Sequence, residues 1–499
     1  MRFEKRVIPL LRLVQSSSLK RYQSTSIRDI QQKLDSFQID QNELKKDLES
    51  KTLLQDLTTR GLISQCSSID ELESLLLKDV KLGIYSGADP SAKSLHLGNL
   101  LPLILLLHFN LRGHNIIGLV GGATGEVGDP SGRTTERDVI KDEIRLDNVK
   151  RISNQMEGFL NNGVRYVKSI SINKIISNGS RETVNNLSWW ENVSLLKFLA
   201  QFGKHIRISS MLARDSIKDR LSSEQGLGFN EFTYQILQAY DFYHLFKNKN
   251  ISIQIGGNDQ WGNITAGTDL INRLKSQDKN LKSKTSFALT VPLLTTSSGE
   301  KFGKSAGNAI FIDNSITPSF EIYQYFIKAN DDEVEKLLKI FTFIPSSQID
   351  EIMEVHLNDP SFRYAQRILA NEITDLIHGL GSGKVAKIIT SILHPFPDQP
   401  YPDISTQDLI SSFKSANILK TLSKDQFLDN PFSTIVSELQ KCSKNEAKKL
   451  IKQGGVYQGF NRIRVDESDD LLLTNEILID NKLLLLRVGK SKYHVVELV

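Results

Sequence analysis

The first half of the chain alternates short apolar runs with segments of helical periodicity. The runs Lys81–Tyr85, Ile116–Val120 and Ile251–Ile255 predict buried strands, and a helix is predicted to begin near Leu97. Glycine clusters follow the strands. This alternation is typical of a parallel α/β sheet, in which ligands bind beyond the carboxyl ends of the strands. We therefore predict an α/β fold whose binding residues follow its strands.

The second half of the chain has a different pattern. Helical periodicity predicts helices at Phe320–Ile327, Asp332–Phe343, Phe362–His378 and Lys384–Leu393, and a proline-rich loop runs from Pro395 to Pro402. Beyond about Phe432 the pattern predicts helices at Phe432–Lys441 and Lys444–Gln453, then strands at Gly455–Val456, Glu476–Ile479, Lys482–Val488 and Tyr493–Leu498. We therefore predict a separate helical domain and a small α+β domain.

The N-terminal segment carries the basic charge of the chain. Residues 1–28 hold seven of the 62 Lys and Arg residues and one of the 58 Asp and Glu residues, which leaves 55 basic and 57 acidic residues elsewhere. The body of the protein is therefore no polycation, and nucleic acid would have to bind to local patches. An Arg- and Ser-rich, acid-poor segment is typical of a mitochondrial transit peptide. We predict cleavage near Arg21–Ser26, with a disordered basic tail as the alternative.

The remaining composition excludes several classes of protein. Apolar residues make up 39% and charged residues 24% of the chain, which is enough for globular cores. Cys66 and Cys442 are far apart and form no recognisable disulfide or zinc framework, in keeping with a reducing compartment. The apolar run Leu100–Leu107 is too short to span a membrane and contains Pro102. We predict no membrane association.

A first group of polar residues lies at a predicted strand-to-helix turn. It reads Tyr85-Ser-Gly-Ala-Asp-Pro-Ser91 and continues with His96-Leu-Gly98-Asn99. The first turn of a helix favours phosphate, because its N–H groups are unpaired and its dipole is positive there. Gly98 lets a flat ring approach the backbone, since it lacks a Cβ. The group predicts a nucleotide contact, although a single histidine at a helix start is more often simply solvated.

Two glycine-rich turns follow later strands. The turn at Gly121–Arg133 lacks the Lys-Ser/Thr of a phosphate loop, but its Asp129 can accept hydrogen bonds from an ammonium group. The turn at Gly256–Asn263 contains Asp259, which can accept hydrogen bonds from ribose hydroxyls, and Gln260, which can both donate and accept. Both turns predict binding residues, with ordinary turns as the alternative.

Three polar side chains share one face of a predicted helix. Tyr234, Gln238 and Asp241 are spaced by four and three residues, which places them on the same side. Hydrogen-bonding side chains on a face expected to be core predict a polar-lined pocket. The alternative is an amphipathic helix with a solvated face.

The last motif is a loop that carries two lysines. It reads Lys301-Phe-Gly-Lys304-Ser305 in a stretch rich in Ser, Gly and Thr. Two lysines spaced by three residues can close over a polyphosphate and stabilise charge that develops in a transition state. A solvated basic loop is the alternative.

Together these motifs, in this order, resemble the class I aminoacyl-tRNA synthetases, and more closely the bacterial and mitochondrial tyrosyl-tRNA synthetases. The resemblance runs from about Leu53 to the C-terminus. Residues 85–99 resemble the family's tyrosine-pocket strand and His-x-Gly-His signature, and residues 301–305 its Lys-Met-Ser-Lys-Ser loop. Residues 119–132, 232–241 and 254–263 match family segments closely.

The sequence pattern and the resemblance together predict five parts for this chain. They are a mitochondrial transit peptide (1–28), a linker helix (29–52), a Rossmann-like parallel-sheet catalytic domain (53–320), a helical anticodon-region domain (321–430) and an S4-like RNA-binding domain (431–499).

The resemblance also implies roles for individual residues. Tyrosine would be bound by Tyr85, Asp129, Tyr234, Gln238, Asp241 and Gln260, with Tyr85 and Asp241 at its phenolic hydroxyl. ATP would contact Ser86, Asp89, Ser91, His96, Gly98, Asn99, Gly256, Asp259 and Lys304. The catalytic set would be His96, Asn99, Lys301, Lys304 and Ser305, and the RNA-binding set Lys441, Lys444, Lys448, Lys449, Arg462 and Arg464. Asn99 replaces the second signature histidine and Ser86 a more usual cysteine, and both keep a polar donor.

The implied reaction has two steps. Tyrosine attacks the α-phosphate of ATP, bound with Mg²⁺, and releases pyrophosphate, and tyrosine is then transferred to the 3′ end of mitochondrial tRNA(Tyr). The family implies a homodimer in the mitochondrial matrix, with no tightly bound cofactor and no metal site made by the protein alone. Phenylalanine would leave Tyr85 and Asp241 unpaired, which explains how such a pocket would reject it.

Three alternatives stay open at this point. The tryptophanyl sibling enzymes share the fold and the reaction, but Tyr85 and Asp241 favour a phenol over an indole. Some fungal mitochondrial relatives assist group I intron splicing, and the charged segment 29–52 could support such RNA binding. A catalytically silent paralogue is the third alternative, and the complete set of motifs argues against it.

Overall fold

The structure of the chain is a computed structural model. It describes residues 27–49, 53–133, 135–136, 140–171, 179–224, 226–278, 281–295, 302–305, 308–395, 404–465, 472–489 and 492–499. Nearly all of the segment interpreted as a transit peptide therefore lies outside the described residues.

The N-terminal segment forms two short helices, where the sequence predicted one linker helix. These are α1 (Ile27–Asp35) and α2 (Gln41–Glu49). Ile30 and Leu44 are buried against the main core, and the backbone N–H of Asp40 donates to the Gln348 side chain at 2.9 Å. The apolar positions of the segment thus cover the folded body of the protein and do not merely connect to it.

A six-stranded sheet forms the centre of the α/β unit. Its strands are β1 (Gln65–Cys66), β2 (Gly83–Ala88), β3 (Asn115–Val120), β4 (Arg181–Asn185), β5 (Ile253–Gly257) and β6 (Phe287–Val291). The order is β1-β6-β5-β2-β3-β4, with β1 antiparallel and the others parallel. The chain order reverses between β2 and β5, which is where ligands bind in sheets of this type. The predicted α/β fold is confirmed.

Helices flank this sheet along most of its length. They are α3 (Leu53–Thr59), α4 (Ile69–Leu77), α5 (Leu100–Leu111), α6 (Thr124–Val127), α7 (Asp142–Ile170), α8 (Leu187–Trp190), α9 (Leu195–Gln201), α10 (Ile208–Leu212), α11 (Asp215–Leu221), α12 (Phe229–Lys249) and α13 (Trp261–Lys275). Every residue of α5 except Pro102 is buried, which explains why its sequence is almost entirely apolar. The long helix α7 was not predicted, although its buried residues Ile152, Met156 and Phe159 recur at helical spacing.

The helical unit is built around one central helix. Its helices are α14 (Ser319–Ile327), α15 (Val334–Phe341), α16 (Ser346–Asn358), α17 (Tyr364–His378), α18 (Ser382–Leu393) and α19 (Thr406–Ser415), and a two-stranded hairpin, β7 (Lys304–Ser305) and β8 (Asn308–Ala309), precedes them. The central helix α17 is buried along most of its length and contacts α14, α15, α16 and α18. Four of these helices were predicted, each within a few residues of the bounds found.

The C-terminal unit is a five-stranded sheet with helices. It comprises β9 (Leu419–Leu422), α20 (Lys424–Phe427), α21 (Phe432–Gln440), α22 (Lys444–Lys452), β10 (Val456–Gln458), β11 (Ile463–Arg464), β12 (Leu483–Val488) and β13 (Lys492–Leu498), with strand order β11-β10-β12-β13-β9. Because β9 pairs with β13, this sheet takes a strand from before the boundary that we placed at residue 431.

One predicted strand of the C-terminal unit is wrong. Glu476–Ile479 was expected to be extended, but Asn475–Ile477 forms a 3₁₀ turn. Asp480 and Asn481 follow with φ of +49° and +55°, so the chain reverses directly into β12. A short apolar run can therefore belong to a turn when residues that tolerate the left-handed region follow it.

A buried arginine ties the α/β unit to the helical unit. The Arg60 side chain is only 2% exposed, and its guanidinium donates to the carbonyl oxygens of Thr342 at 3.3 Å and Ile344 at 3.1 Å. It also pairs with Asp56 at 2.9 Å, which pairs in turn with Arg112 at 2.7 Å. Burying these charges is tolerable because each one has a charged partner or several hydrogen bonds.

We expect Arg60→Ala to lower the free energy of unfolding by about 3 kcal/mol, because it leaves buried carbonyl and carboxylate oxygens unpaired. Urea denaturation followed by circular dichroism measures this change. Lys46→Ala is the matched control, since the Lys46 side chain in its pair with Glu43 is 71% exposed. The control should leave the free energy of unfolding nearly unchanged, because exposed ion pairs contribute little to stability. Equal effects of the two substitutions would contradict the proposed anchoring.

Candidate active site

Except for Lys304, the residues predicted to bind tyrosine and ATP line a single cavity of about 620 Å³. It lies beyond the carboxyl ends of β2 and β5, where the strand order reverses. Its lining includes Tyr85, Ser86, Asp89, Ser91, His96, Gly98, Asn99, Asp129, Tyr234, Gln238, Asp241, Gly256, Asp259 and Gln260. Gly303 also lines it, next to Lys304. Residues from four separate segments that the sequence analysis singled out therefore lie around one cavity.

The lysine loop is described only in part. Lys304 and Ser305 form β7, which pairs with β8, but the structure describes their backbone only. Lys301 lies outside the described residues.

A buried carboxylate lies deep in the cavity. Asp241, on α12, is 2% exposed and accepts three hydrogen bonds. Trp189 Nε1 and Trp190 Nε1 donate to its Oδ1 at 2.8 and 2.7 Å, and Asn186 Nδ2 donates to its Oδ2 at 2.9 Å. These donors fix the orientation of the carboxylate, since each of its two oxygens has a partner.

The sequence analysis missed these three donors. They lie immediately after β4, a strand that was not predicted because its sequence, Arg-Glu-Thr-Val-Asn, contains only one apolar residue. Asn186 is completely buried and also accepts a hydrogen bond from the backbone N–H of Ala123 at 2.8 Å. The available signal was the pair of adjacent tryptophans beside two asparagines, an unusual cluster at the end of a parallel strand.

Tyr85 lies beside this carboxylate with its hydroxyl unused. The Tyr85 side chain is 1% exposed, and its hydroxyl has no hydrogen-bond partner among the described residues. Burial, and next the charge of Asp241, raise the pKa of Tyr85 well above its usual range. The group is therefore a neutral hydroxyl at neutral pH, and a buried hydroxyl without a partner is costly unless a ligand supplies one.

The charge state of Asp241 depends on two opposing effects, burial and hydrogen bonding. Burial raises the pKa of Asp241 to about 7, and the charge of Asp89 adds to that rise. The hydrogen bonds from Asn186, Trp189 and Trp190 lower the pKa of Asp241, because they stabilise the ionised form. The carboxylate therefore titrates near neutral pH, which is unusual for an aspartate.

Asp89 and Tyr234 form a second polar contact in the cavity. Tyr234 Oη donates to Asp89 Oδ2 at 2.7 Å, and Thr124 Oγ1 donates to Asp89 Oδ1 at 2.8 Å. Because the Tyr234 hydroxyl donates to Asp89, its oxygen lone pair can accept a hydrogen bond from a ligand. Gln238, one turn further along α12, has a buried Oε1 without a partner among the described residues.

Asp129 is held by residues that follow β5. Gln260 Nε2 donates to Asp129 Oδ2 at 2.7 Å, and Asn263 Nδ2 donates to Asp129 Oδ1 at 3.3 Å. The backbone N–H of Ser131 also donates to Oδ1, at 3.0 Å. Asn263 was not among the predicted residues. These contacts join the two glycine-rich turns that the sequence analysis singled out, although 131 residues separate Asp129 from Gln260.

His96 and Asn99 cap the short 3₁₀ helix Leu97–Asn99 that leads into α5. The backbone N–H of Gly98 donates to His96 Nδ1 at 3.0 Å, and the N–H of His96 donates to Asn99 Oδ1 at 3.0 Å. A neutral His96 therefore carries its proton on Nε2, where it can donate to a phosphate oxygen. Asn99 uses its oxygen in the cap, which leaves its Nδ2 as the donor for a ligand.

The predicted RNA-binding residues lie on the C-terminal unit. Lys444, Lys448 and Lys449 are exposed on α22, and Lys441 and Arg464 are exposed close to it in sequence. Arg462 differs from them, because it is half-buried and donates to the carbonyl oxygen of Leu393 at 3.0 Å. Arg462 thus contacts the helical unit as well.

Two kinds of feature are absent from the described residues. No group of three or more His, Cys, Asp or Glu side chains among them is arranged to hold a metal ion. No helix in the described part of the chain has the length and apolar character needed to cross a membrane.

Residues 77–394 match the family of class I tRNA synthetases for tryptophan and tyrosine. The mitochondrial tyrosine–tRNA ligase of Saccharomyces cerevisiae is 48% identical, covering 91% of this chain and 90% of the yeast protein. The tyrosine–tRNA ligase of Lactobacillus acidophilus is 36% identical, covering 89% of this chain and 99% of the bacterial protein.

A solved structure supports the same conclusion. The C-terminally truncated mitochondrial tyrosyl-tRNA synthetase of Aspergillus nidulans is 35% identical and superposes with a TM-score of 0.62, over 72% of this chain and 98% of that one. The resemblance inferred from the motifs is thus confirmed over most of the chain. The chain belongs to the class I tRNA synthetases, in the branch formed by the mitochondrial and bacterial tyrosine–tRNA ligases.

Proposed function

We propose that this chain activates tyrosine with ATP and then transfers it to mitochondrial tRNA(Tyr) in the mitochondrial matrix. The observation that carries the proposal is the pair formed by Tyr85 and Asp241, a buried hydroxyl without a partner beside a buried carboxylate. Family membership and the mitochondrial relatives support the reaction and the compartment. ATP arrives as its Mg²⁺ complex, with the ion held mainly by phosphate oxygens.

The phenol of tyrosine fits between Tyr85 and Asp241. The Tyr85 hydroxyl donates to the phenolic oxygen, and the phenolic hydroxyl donates to the Asp241 carboxylate. Phenylalanine would leave both groups desolvated and unpaired, which costs more than the contacts of its ring recover. An indole offers only a donor, so it would leave the Tyr85 hydroxyl without an acceptor. The pair therefore favours tyrosine over both other aromatic amino acids.

The α-amino group of tyrosine fits the middle of the cavity. Asp129 supplies a carboxylate, while Gln238 Oε1 and the lone pair of the Tyr234 hydroxyl supply two further acceptors. Three acceptors match the three N–H bonds of an ammonium group. Gln260, which orients Asp129, lies towards the carboxyl end of the substrate.

ATP occupies the part of the cavity nearest the His96 turn. His96 Nε2 and Asn99 Nδ2 donate to the phosphates and ribose, and Asp259 accepts from the ribose hydroxyls. Gly256 meets the ribose, and it also lets the turn that carries Gln260 pack closely, since a Cβ added there would lie 2.8 Å from the Gln260 Cβ. Ser86, Ser91 and Gly98 line the same region. Lys301, Lys304 and Ser305 contact the departing pyrophosphate.

Catalysis of the first step then rests on positioning and charge stabilisation. The carboxylate of tyrosine is itself the nucleophile, so no side chain of the protein has to form a covalent intermediate. Holding it in line with the α-phosphate lowers the entropic cost of the reaction, and cationic donors stabilise charge that builds up in the transition state.

A homodimer is supported by exposed apolar side chains. Leu195, Leu196 and Leu199 on α9 are 69%, 77% and 51% exposed, and Phe229 at the start of α12 is 80% exposed. Phe198, on the same helix α9, is instead buried against Trp190 and Tyr240. Large exposed apolar side chains in neighbouring segments are typical of an interface. Sedimentation at assay concentrations tests this, and a monomer would contradict it.

Asp241→Asn should lower kcat/KM for tyrosine about 10- to 100-fold, the loss expected for a hydrogen bond to a charged group. The asparagine side chain also has only one acceptor oxygen, whereas the carboxylate has two for the three donors around it. Tyrosine-dependent ATP–pyrophosphate exchange measures the effect. Asp259→Asn is the matched control, and it should raise KM for ATP while sparing KM for tyrosine. Unchanged tyrosine kinetics in the Asp241 variant would refute the pocket assignment.

The activity should depend on pH through Asp241. Since its pKa is about 7, the carboxyl group gains a proton below that pH and no longer accepts from the phenol at that oxygen. We expect kcat/KM for tyrosine to fall as pH drops through about 7 and to level off above it. Trp190→Phe keeps an aromatic ring but removes one donor, so the midpoint should move to higher pH. If the midpoint of the pH profile stays at the same pH or moves to lower pH, the hydrogen bond from Trp190 does not lower the pKa of Asp241 as stated.

Replacing Lys444, Lys448 and Lys449 together by Ala should impair tRNA charging and leave pyrophosphate exchange unchanged. Because three phosphate contacts would be lost, the salt dependence of tRNA binding should also become weaker. The slope of the logarithm of the binding constant against the logarithm of the salt concentration should become shallower by about 3. Filter binding at several salt concentrations measures that slope. The control replaces Lys33, Lys45 and Lys46, three lysines on α1 and α2 that are likewise exposed. Equal charging by both triple variants would remove α22 from the RNA interface.

A further inference from the structure

The start of the lysine loop packs against the helical unit through aromatic rings. Phe302 lies 5.4 Å from the ring of Phe341 in a stacked arrangement and 5.3 Å from Tyr325 edge to face. Tyr325 lies on α14 and Phe341 on α15. Phe302 is buried, so this contact fixes the loop residue that precedes Gly303 on the helical unit.

A tyrosine hydroxyl adds a directed contact at the next residue. The backbone N–H of Gly303 donates to Tyr325 Oη at 2.8 Å. Gly303 is buried and has φ of +84°, a conformation that side-chain-bearing residues rarely adopt. A buried N–H needs a partner, and the partner here is a side chain of the helical unit.

The opposite side of Gly303 faces the nucleotide end of the cavity. A Cβ at Gly303 would lie 3.1 Å from the Leu97 Cβ and 3.3 Å from the Gly98 nitrogen. The carbonyl oxygen of Gly303 accepts from the N–H of Ile310 at 2.7 Å, and the carbonyl of Ile310 accepts from the N–H of Leu97 at 3.0 Å. A continuous set of hydrogen bonds thus runs from Tyr325 through Gly303 to the turn that holds His96.

We propose that Tyr325 is a positioning residue for the activation step, acting from the helical unit through Gly303 on the placement of Lys304 against the His96 turn. This proposal rests on the proposed function. Lys304 is the next residue after Gly303 and pairs with Ala309 in the β7–β8 hairpin. Its backbone position therefore follows that of Gly303. A shift of a charged donor by a fraction of an ångström weakens transition-state stabilisation, which depends on fixed geometry.

The consequence should be confined to the step that releases pyrophosphate. Lys304 is proposed to contact the leaving pyrophosphate, which is absent once tyrosyl-adenylate has formed. The tyrosine pocket lies on β2 and α12, and no hydrogen bond of Tyr325 reaches either among those described. A role in positioning therefore separates ATP-dependent kinetics from tyrosine binding and from transfer to tRNA.

Tyr325→Phe tests the proposal, because it removes the hydroxyl and keeps the ring that packs on Phe302. The full chain is assayed for tyrosine-dependent pyrophosphate exchange, and transfer to tRNA is followed separately from preformed enzyme-bound tyrosyl-adenylate. We expect kcat/KM for ATP to fall about two- to tenfold, the range set by one hydrogen bond. KM for tyrosine and the transfer rate should stay at wild-type values.

Tyr323→Phe is the matched control, since it removes a different tyrosine hydroxyl from the same helix, two residues away. Tyr323→Phe should leave kcat/KM for ATP, KM for tyrosine and the rate of transfer to tRNA unchanged, whatever its effect on Tm. An unchanged kcat/KM for ATP in Tyr325→Phe would overturn the proposal, and so would an equal loss in activation and transfer. A wild-type protein without tyrosine-dependent exchange would instead refute the proposed function itself.

Discussion

The buried carboxylate of Asp241 is the constraint around which the site is organised. A charge in that position is unfavourable unless several donors surround it, and the chain supplies three from one short segment after β4. Asn186 belongs to that segment and also accepts from the turn after β3. The hydrogen bonds of Asp241 and Asn186 therefore fix β3, β4 and α12 relative to one another. The hydroxyl of Tyr85 has no hydrogen-bond partner among the described residues, and in the proposed function the phenol of tyrosine supplies one.

The same principle, a buried polar group satisfied across a boundary, joins the units of the molecule. Arg60 donates from the α/β unit to carbonyl groups of the helical unit. The Tyr166 hydroxyl donates to Glu372 across the same boundary, and the N–H of Gly303 donates to Tyr325. Because these contacts are hydrogen bonds with a preferred direction, they define how the helical unit sits against the cavity. A loop that must place a charge accurately benefits from an attachment of this kind.

Much of the site was predictable because, in this fold, the residues that directly follow the strands in the sequence are the ones that line the site. Apolar runs reveal the parallel strands β2, β3 and β5, and the polar residues directly after such strands meet at one edge of the sheet. The predicted cavity residues came from that rule and from the spacing on α12. The resemblance to a known family then supplied their individual roles, which the residue types alone left open.

The parts that sequence did not predict depend on contacts between distant segments. Strand β4 is polar because it lies at the edge of the sheet, so it shows no apolar run, and the donors that follow it were missed for that reason. Strand β9 pairs with β13 across more than 70 residues, as in the register of Leu419 with Val495, which local periodicity cannot indicate. The amphipathic pattern of residues 29–52 indicated helices, but it did not indicate that they cover the core.

The most direct test of the central claim is amino-acid-dependent ATP–pyrophosphate exchange by the chain from about residue 28 onward. Tyrosine, phenylalanine and tryptophan are offered separately at matched concentrations. The account predicts exchange with tyrosine alone, because only a phenol pairs with both Tyr85 and Asp241. Exchange with phenylalanine or tryptophan at a comparable rate, or no exchange with any of the three, would contradict it.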